Sequence, residues 1–302
     1  MKKSTKIIVG VSITLLILIG IVLGIAMNKK ENKTGIKSGE FKVVTSFYPI
    51  YLATLNITEG ANQVEVTNMA EMNGGCIHDY TLNTQDLVKL QGANVFIENG
   101  LEMENFTDKI LQTYNQIEII DSSRNLTNLI KNEQETNGHV WTSIENYSSQ
   151  VSTIADRLSE INPQNEEVYQ RNKENYVKKL EELKKQYETE LSKLKGKQAI
   201  SLNESFNYLA REVGMEVTAI ETDHEESTLS AETIHTLVDK MKQEQIQIIL
   251  IDENDNTKNA ELLAKETGAK IYKLNSIMSG TFNKDQYIDN MKNNLEVLKQ
   301  IP

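Results

Sequence analysis

Two kinds of periodicity alternate along the chain. Short apolar runs of strand length occur at Lys42–Ser46 (KVVTS), Val64–Asn68 (VEVTN), Asn94–Asn99 (NVFIEN) and Ile117–Asp121 (IEIID). They resume after residue 197 as QAISL, EVTAI, IQIILID and KIYKL. Between them lie stretches of helical spacing: one from Pro49, where proline is tolerated in a first turn, then Thr84–Gln91 and Glu102–Tyr114. Strands alternating with helices predict an α/β fold with parallel-type sheets flanked by helices. Such sheets gather ligands beyond the carboxyl ends of their strands.

The segment between the two sets of strands is of another kind. Glu166–Lys197 is dense in Lys and Glu and has no proline. Leu180, Leu183, Tyr187, Leu191 and Leu194 form one helical stripe. A helix over Asn165–Leu194 would be roughly 45 Å long. It reads both as a solvated helix with Glu–Lys pairs at i,i+4 and as a rod between two α/β lobes. The predicted organisation is an anchor and tether over 1–40, an N-terminal lobe over 41–164, a linking helix over 165–197 and a C-terminal lobe over 198–302.

The N-terminus bears on compartment. Ile7–Met27 carries no charge and follows Lys2, Lys3 and Lys6. At helical rise it covers roughly 30 Å, enough to cross the hydrocarbon core. It exceeds the ~7–15 apolar residues of a cleaved signal and runs directly into Asn28-Lys29-Lys30. This favours an uncleaved signal anchor over a cleaved peptide: a single transmembrane segment with the body on the extracytoplasmic face of the cell membrane. Residues 28–40 read as a flexible tether, and no cysteine follows the apolar run to carry a lipid.

Length and composition narrow the function. The 302 residues suffice for two domains, and the one cysteine excludes an intramolecular disulfide, a CxxC pair and a Cys-rich zinc module. Seven lysines and two glutamates in residues 1–40 leave the remainder more acidic than the net −11 of the whole. Such a body repels nucleic acid and attracts cations. No P-loop, GxGxxG, HExxH or nucleophile elbow is present, which argues against an enzyme.

Four histidines are candidates for chemistry. His78 lies in Gly74-Gly75-Cys76-Ile77-His78-Asp79-Tyr80, after the second strand, where α/β proteins bind ligands. His139 lies in Asn137-Gly138-His139-Val140-Trp141 at a helix start, and His224 in an acidic loop. Taken singly, each is more often a structural residue. His235 falls on the polar side of a helix whose apolar face is Ile234, Leu237, Val238 and Met241. Cys76 and His78 would share one side of an extended strand, a conceivable ligand pair, although a buried apolar role for a lone cysteine ranks first.

These residues, in this order, resemble the zinc/manganese metal-receptor family of ABC importers, solute-binding proteins also known as surface adhesin lipoproteins. VVTSFYPIYLAT (Val43–Thr54) is similar to the family's first strand and helix, and Gly74–Glu104 to the segment around its first ligand. GHVWTSIEN (Gly138–Asn146) resembles the second-ligand segment. Ala264–Asn275 and Lys284–Lys299 resemble the last strand and helix. The resemblance covers residues 41–302 and implies two α/β lobes joined by one long rigid helix, with metal in the cleft. His78 and His139 carry over as ligands, and Asp285 matches the acidic residue before the last helix.

Asn203 stands where the family has His or Glu, and Gly75 and Leu82 stand where prolines flank the first ligand. Three readings of Asn203 remain open, in order of preference. Its carbonyl ligates; or neighbouring Glu204 swings in; or His224 closes the site. The implied function is capture of Zn(II), with Mn(II) as the alternative, and delivery to an ABC permease by a monomeric receptor that binds no nucleic acid. The alternative is a membrane-anchored surface adhesion protein with a degenerate metal site. A metallohydrolase using Asp285 or Glu204 as base is a third reading.

Overall fold

Val, Ile and Phe dominate the strands of the first half, side chains suited to a pleated, buried surface. In a computed structural model that describes residues 40–70, 77–131, 135–219 and 229–302, β1 (Phe41–Thr45), β2 (Val64–Asn68), β3 (Val95–Glu98) and β4 (Glu118–Asp121) form a parallel sheet. Its order is β2-β1-β3-β4, with Val43 opposite Val66 on one side and Val95 on the other. β5 (Gln198–Ser201), β6 (Glu216–Ala219), β7 (Ile248–Asp252) and β8 (Lys270–Leu274) repeat the pattern as β6-β5-β7-β8. Every residue of β7 is buried, as expected for an inner strand covered on both faces.

The helices are α1 (Tyr48–Thr58), α2 (Thr84–Leu90), α3 (Thr107–Thr113), α4 (Ile144–Ile161), α5 (Glu166–Glu190), α6 (Asn207–Glu212), α7 (Ala231–Glu244), α8 (Lys258–Thr267) and α9 (Gln286–Leu298). Strand alternation sorts the cores of the second sheet. Ile200, Ile249 and Ile251 pack outward on Ile234, Leu237 and Met241 of α7 and Leu263 of α8. Ala199 and Leu250 face a larger core that continues through Tyr287, Tyr147 and Trp141 to Val43 and Phe96 of the first sheet. No helix among the described residues is long and apolar enough to cross a membrane, and Ile7–Met27 lies outside them.

The long helix α5 is 25 residues, about 37 Å, shorter than the predicted Asn165–Leu194. Asn165 sits at its N-cap, and Ser192–Leu194 form a 3-10 turn beyond it. Tyr169, Tyr176, Leu180, Leu183 and Tyr187 are buried, so the apolar stripe faces the protein. α5 runs along α4 and across α1. Asn172 Nδ2 donates to the carbonyls of Ile57 (2.9 Å) and Glu59 (2.8 Å) at the end of α1, and Tyr187 donates to Met291 O (2.5 Å) on α9.

The predicted helix Glu102–Tyr114 begins five residues late. Leu101 and Glu102 have φ of 58° and 61°, which no right-handed helix accommodates. The cause is Glu104, whose buried carboxylate accepts the backbone N–H groups of Asn99 (2.7 Å) and Gly100 (3.1 Å) and curls the chain into a turn. Gly100 adopts φ +83° there, and a Cβ would lie 2.0 Å from Asp121 Oδ1.

Burial, reinforced by repulsion from Glu98, raises the Glu104 pKa to about 8 against the two backbone donors. Because this folded value exceeds the ordinary carboxylate value of 4.5, its stabilising contribution is complete below that pH and is lost as pH rises through about 8. Thermal melts of wild type and Glu104→Gln from pH 5 to pH 9 should therefore show the wild type losing ground to the variant as pH rises; a constant difference would contradict this. Leu180→Ala empties a fully buried site on α5, and urea titration of that variant should show a loss of about 2–5 kcal/mol.

Candidate metal centre

His78 lies on a 3-10 turn, Ile77–Asp79, just past the carboxyl end of the first sheet. Ile77 is fully buried, and Asn105 Nδ2 donates to His78 O (2.7 Å), so the turn is held from both sides. Immediately downstream, Asn83 and Asp86 form a capping box on α2, and Tyr80 donates to Asp86 (2.8 Å). The turn therefore leads into a firmly capped element.

His139 is buried and precedes a second 3-10 turn, Val140–Thr142. A Cβ at Gly138 would lie 2.4 Å from the Met103 side chain, so any larger residue before His139 would have to displace that buried methionine. Trp141 is fully buried behind the histidine, with ring centroids 5.2 Å apart, and meets Phe47 edge-on at 4.9 Å. Its indole N–H donates to Ser276 O (2.8 Å), and its own carbonyl accepts from Tyr287 (2.8 Å). Burial holds the Tyr287 and Tyr147 hydroxyls well above the ordinary phenol range, so both remain donors.

Glu204 enters from the second sheet, opening a 3-10 turn, Glu204–Phe206, at the end of β5. Its Oε1 lies 3.5 Å from His139 Nδ1. His78, His139 and Glu204 each offer a donor atom, and the three atoms lie within 4.8 Å of one another. Donors around a tetrahedral zinc are roughly 3.3 Å apart at normal bond lengths. To reach that spacing the atoms, within 4.8 Å here, would have to draw together by up to about 1.5 Å.

The other sequence candidates are placed differently. Asn203 caps the turn that carries Glu204, its Oδ1 accepting from Ser205 N (2.9 Å) and its Nδ2 donating to Asp255 (3.2 Å). Asp285 precedes α9 with its side chain 48% exposed and 4.0 Å from Lys179 Nζ, outside the converging group. His235 is exposed and pairs with Asp239 at 3.1 Å. His224 and Cys76 lie outside the described residues. The sequence pattern did not single out Asn137, which contacts both His139 and the Glu204 backbone. Its one signal was a short polar side chain two residues before a candidate ligand, a spacing that lets the amide fold back.

The family model described as zinc-uptake complex component A, periplasmic (ZnuA), matches residues 43–301. The zinc-binding lipoprotein AdcA of Streptococcus pneumoniae R6 is 29% identical over 310 residues, covering 96% of this chain. The chain spans 60% of the length of that curated relative. The high-affinity zinc uptake system protein ZnuA of Bacillus subtilis 168 is 28% identical over 287 residues, covering 87% of this chain and 88% of its own. Among solved structures, the Zn(II)-bound ZnuA-like domain of Streptococcus pneumoniae AdcA aligns with a TM-score of 0.74 at 30% identity. It covers 87% of this chain and 98% of that domain. A parallel α/β architecture that matches a solved relative, together with a family match from the first strand to the last helix, settles the kinship: this chain belongs to the ZnuA family.

Proposed function

We propose that this chain captures a divalent transition metal, zinc first and manganese as the alternative, and delivers it to the permease of an ABC importer. The observation that carries the reading is the convergence of His78, His139 and Glu204 from the carboxyl ends of two parallel sheets. Two neutral imidazoles and one carboxylate suit Zn(II) and leave a net +1 around a divalent ion. Three such donors leave a coordination position for a further ligand, so the ion is more labile than in a closed structural cage, as cargo must be. Glu204 takes the carboxylate role. Asn203 serves as the cap that aims it, and Asp285 stays outside the shell. The zinc-binding and zinc-uptake names of AdcA and of the Bacillus subtilis protein support the same choice of cargo.

The receptor acts as a monomer on the extracytoplasmic face of the membrane, held by residues 7–27 and the tether that follows. Its lobes are 41–164 and 198–302, with 165–197 between them. The chain's one cysteine, Cys76, is remote from the apolar segment, which favours the segment itself over a cysteine-linked lipid as the anchor.

Calorimetric titration of the full chain in mild detergent tests the reading. One zinc should bind per chain, more tightly than manganese. His78→Ala combined with His139→Ala should abolish binding, and Glu204→Gln should weaken it at least tenfold, about 1.4 kcal/mol. Wild type that binds neither metal, or a double variant with unchanged affinity, would sink the proposal. Zinc affinity should also fall between pH 7.5 and pH 5.5, because protons compete for the donor atoms.

A further inference from the structure

We propose that Asn137 is the positioning residue of this centre: its amide sets His139 in the tautomer that offers Nε2 to the ion and braces that histidine to the turn carrying Glu204. The inference rests on the metal-receptor reading and adds a residue that touches the ligands and not the cargo. Its basis is the orientation of one side-chain amide. The two ends of an asparagine amide are nearly alike in shape, so only hydrogen-bond partners tell them apart. At Asn137 two backbone groups do so. The His139 N–H requires an acceptor and meets Oδ1 at 2.9 Å, while the Glu204 carbonyl requires a donor and meets Nδ2 at 3.2 Å. Reversing the amide would set donor against donor and oxygen against oxygen.

The oxygen is therefore the atom that faces His139 Nδ1 at 3.1 Å. An acceptor in that place is satisfied by Nδ1–H and opposed by an Nδ1 lone pair. A neutral imidazole protonated on Nδ1 carries its lone pair on Nε2, the form ready to bind a metal. Glu204 Oε1, 3.5 Å from Nδ1, is a second acceptor on the same side of the ring and favours the same tautomer.

Asn137 is also held firmly enough to act this way. It is 9% exposed. Its N–H donates to Ile130 O (3.0 Å), and its carbonyl accepts from the Tyr208 hydroxyl on α6 (2.7 Å). The same hydroxyl accepts from Ile130 N (2.9 Å). Backbone and side chain of Asn137 thus both reach from the His139 loop to the segment following β5. Partners of this kind, behind a ligating histidine, typically change metal affinity by 10–100-fold when removed.

The test compares wild type, Asn137→Ala and Asn137→Asp as full chains in detergent. Asn137→Asp keeps an acceptor for Nδ1–H but loses the donor to Glu204. Long-range 1H–15N correlation spectra of the metal-free proteins read the His139 tautomer, and competition with a chromophoric chelator reads zinc affinity. Wild type and Asn137→Asp should show the Nδ1–H form, and Asn137→Ala should lose it and bind zinc at least tenfold more weakly, with Asn137→Asp in between. An Nε2–H form in wild type, an unchanged tautomer in Asn137→Ala, or a zinc affinity of Asn137→Ala within twofold of wild type would overturn the proposal. If wild type binds no zinc, the receptor reading falls, and the tautomer spectra alone decide the role of Asn137.

Discussion

Glu204 and His139 are supplied by different sheets, so their separation depends on what ties the segment after β5 to the segment before α4. That tie is a seam of polar bonds laid over a shared apolar core. Thr142 donates to Ser205 O (2.7 Å), Tyr208 to Asn137 O (2.7 Å) and Arg211 to Asn128 O (2.5 Å). At its far end the Glu212 carboxylate accepts the first free N–H groups of α4, from Ile144 (2.7 Å) and Glu145 (3.3 Å). A carboxylate at a helix N-terminus satisfies orphan donors and meets the positive end of the helix dipole. Burial raises the Glu212 pKa, opposed by these N–H donors and by Lys184. On the other side, Asn99 at the end of β3 donates to Gly138 O (3.0 Å) and accepts from Gln150 (2.9 Å). The His139 loop is thus secured from both sheets before any ion arrives.

The parallel order of both sheets gives the seam its functional value. The strands of each sheet run in the same sense, and the turns bearing His78 and Glu204 follow β2 and β5 at their carboxyl ends. The helices on the remaining surfaces are then mainly supports. α5 closes the side formed by α4 and α1, and α9 returns the chain to it through the Tyr187–Met291 bond.

Much of this is legible in the amino-acid pattern, for reasons that differ by element. The eight strands stand out because each is a short apolar run, and β7 has no polar face to confuse it with a surface element. The stripe of Leu and Tyr makes α5 legible as a helix but overstates its length, because Leu191 and Leu194 continue the spacing past its last residue. The late start of α3 is not legible, because it depends on Glu104, whose long-range burial turns an apparent helix residue into the acceptor for a turn. The geometry around Asn203 and Glu204 is equally local: Asn203 Oδ1 accepts from Ser205 N and caps the turn that Glu204 opens. Neighbouring side chains at a strand end point in different directions, and a 3-10 turn of three residues has too little periodicity to be read from the sequence.

The chain's one tryptophan has a consequence of a different sort. Trp141 is fully buried, set between Phe47 and His139 and hydrogen-bonded through its indole to Ser276. All indole emission from the protein therefore originates one ring away from a candidate donor, in a setting shielded from water. An ion held at His139 would change the field across the indole, so the protein's own tryptophan would report binding at that histidine.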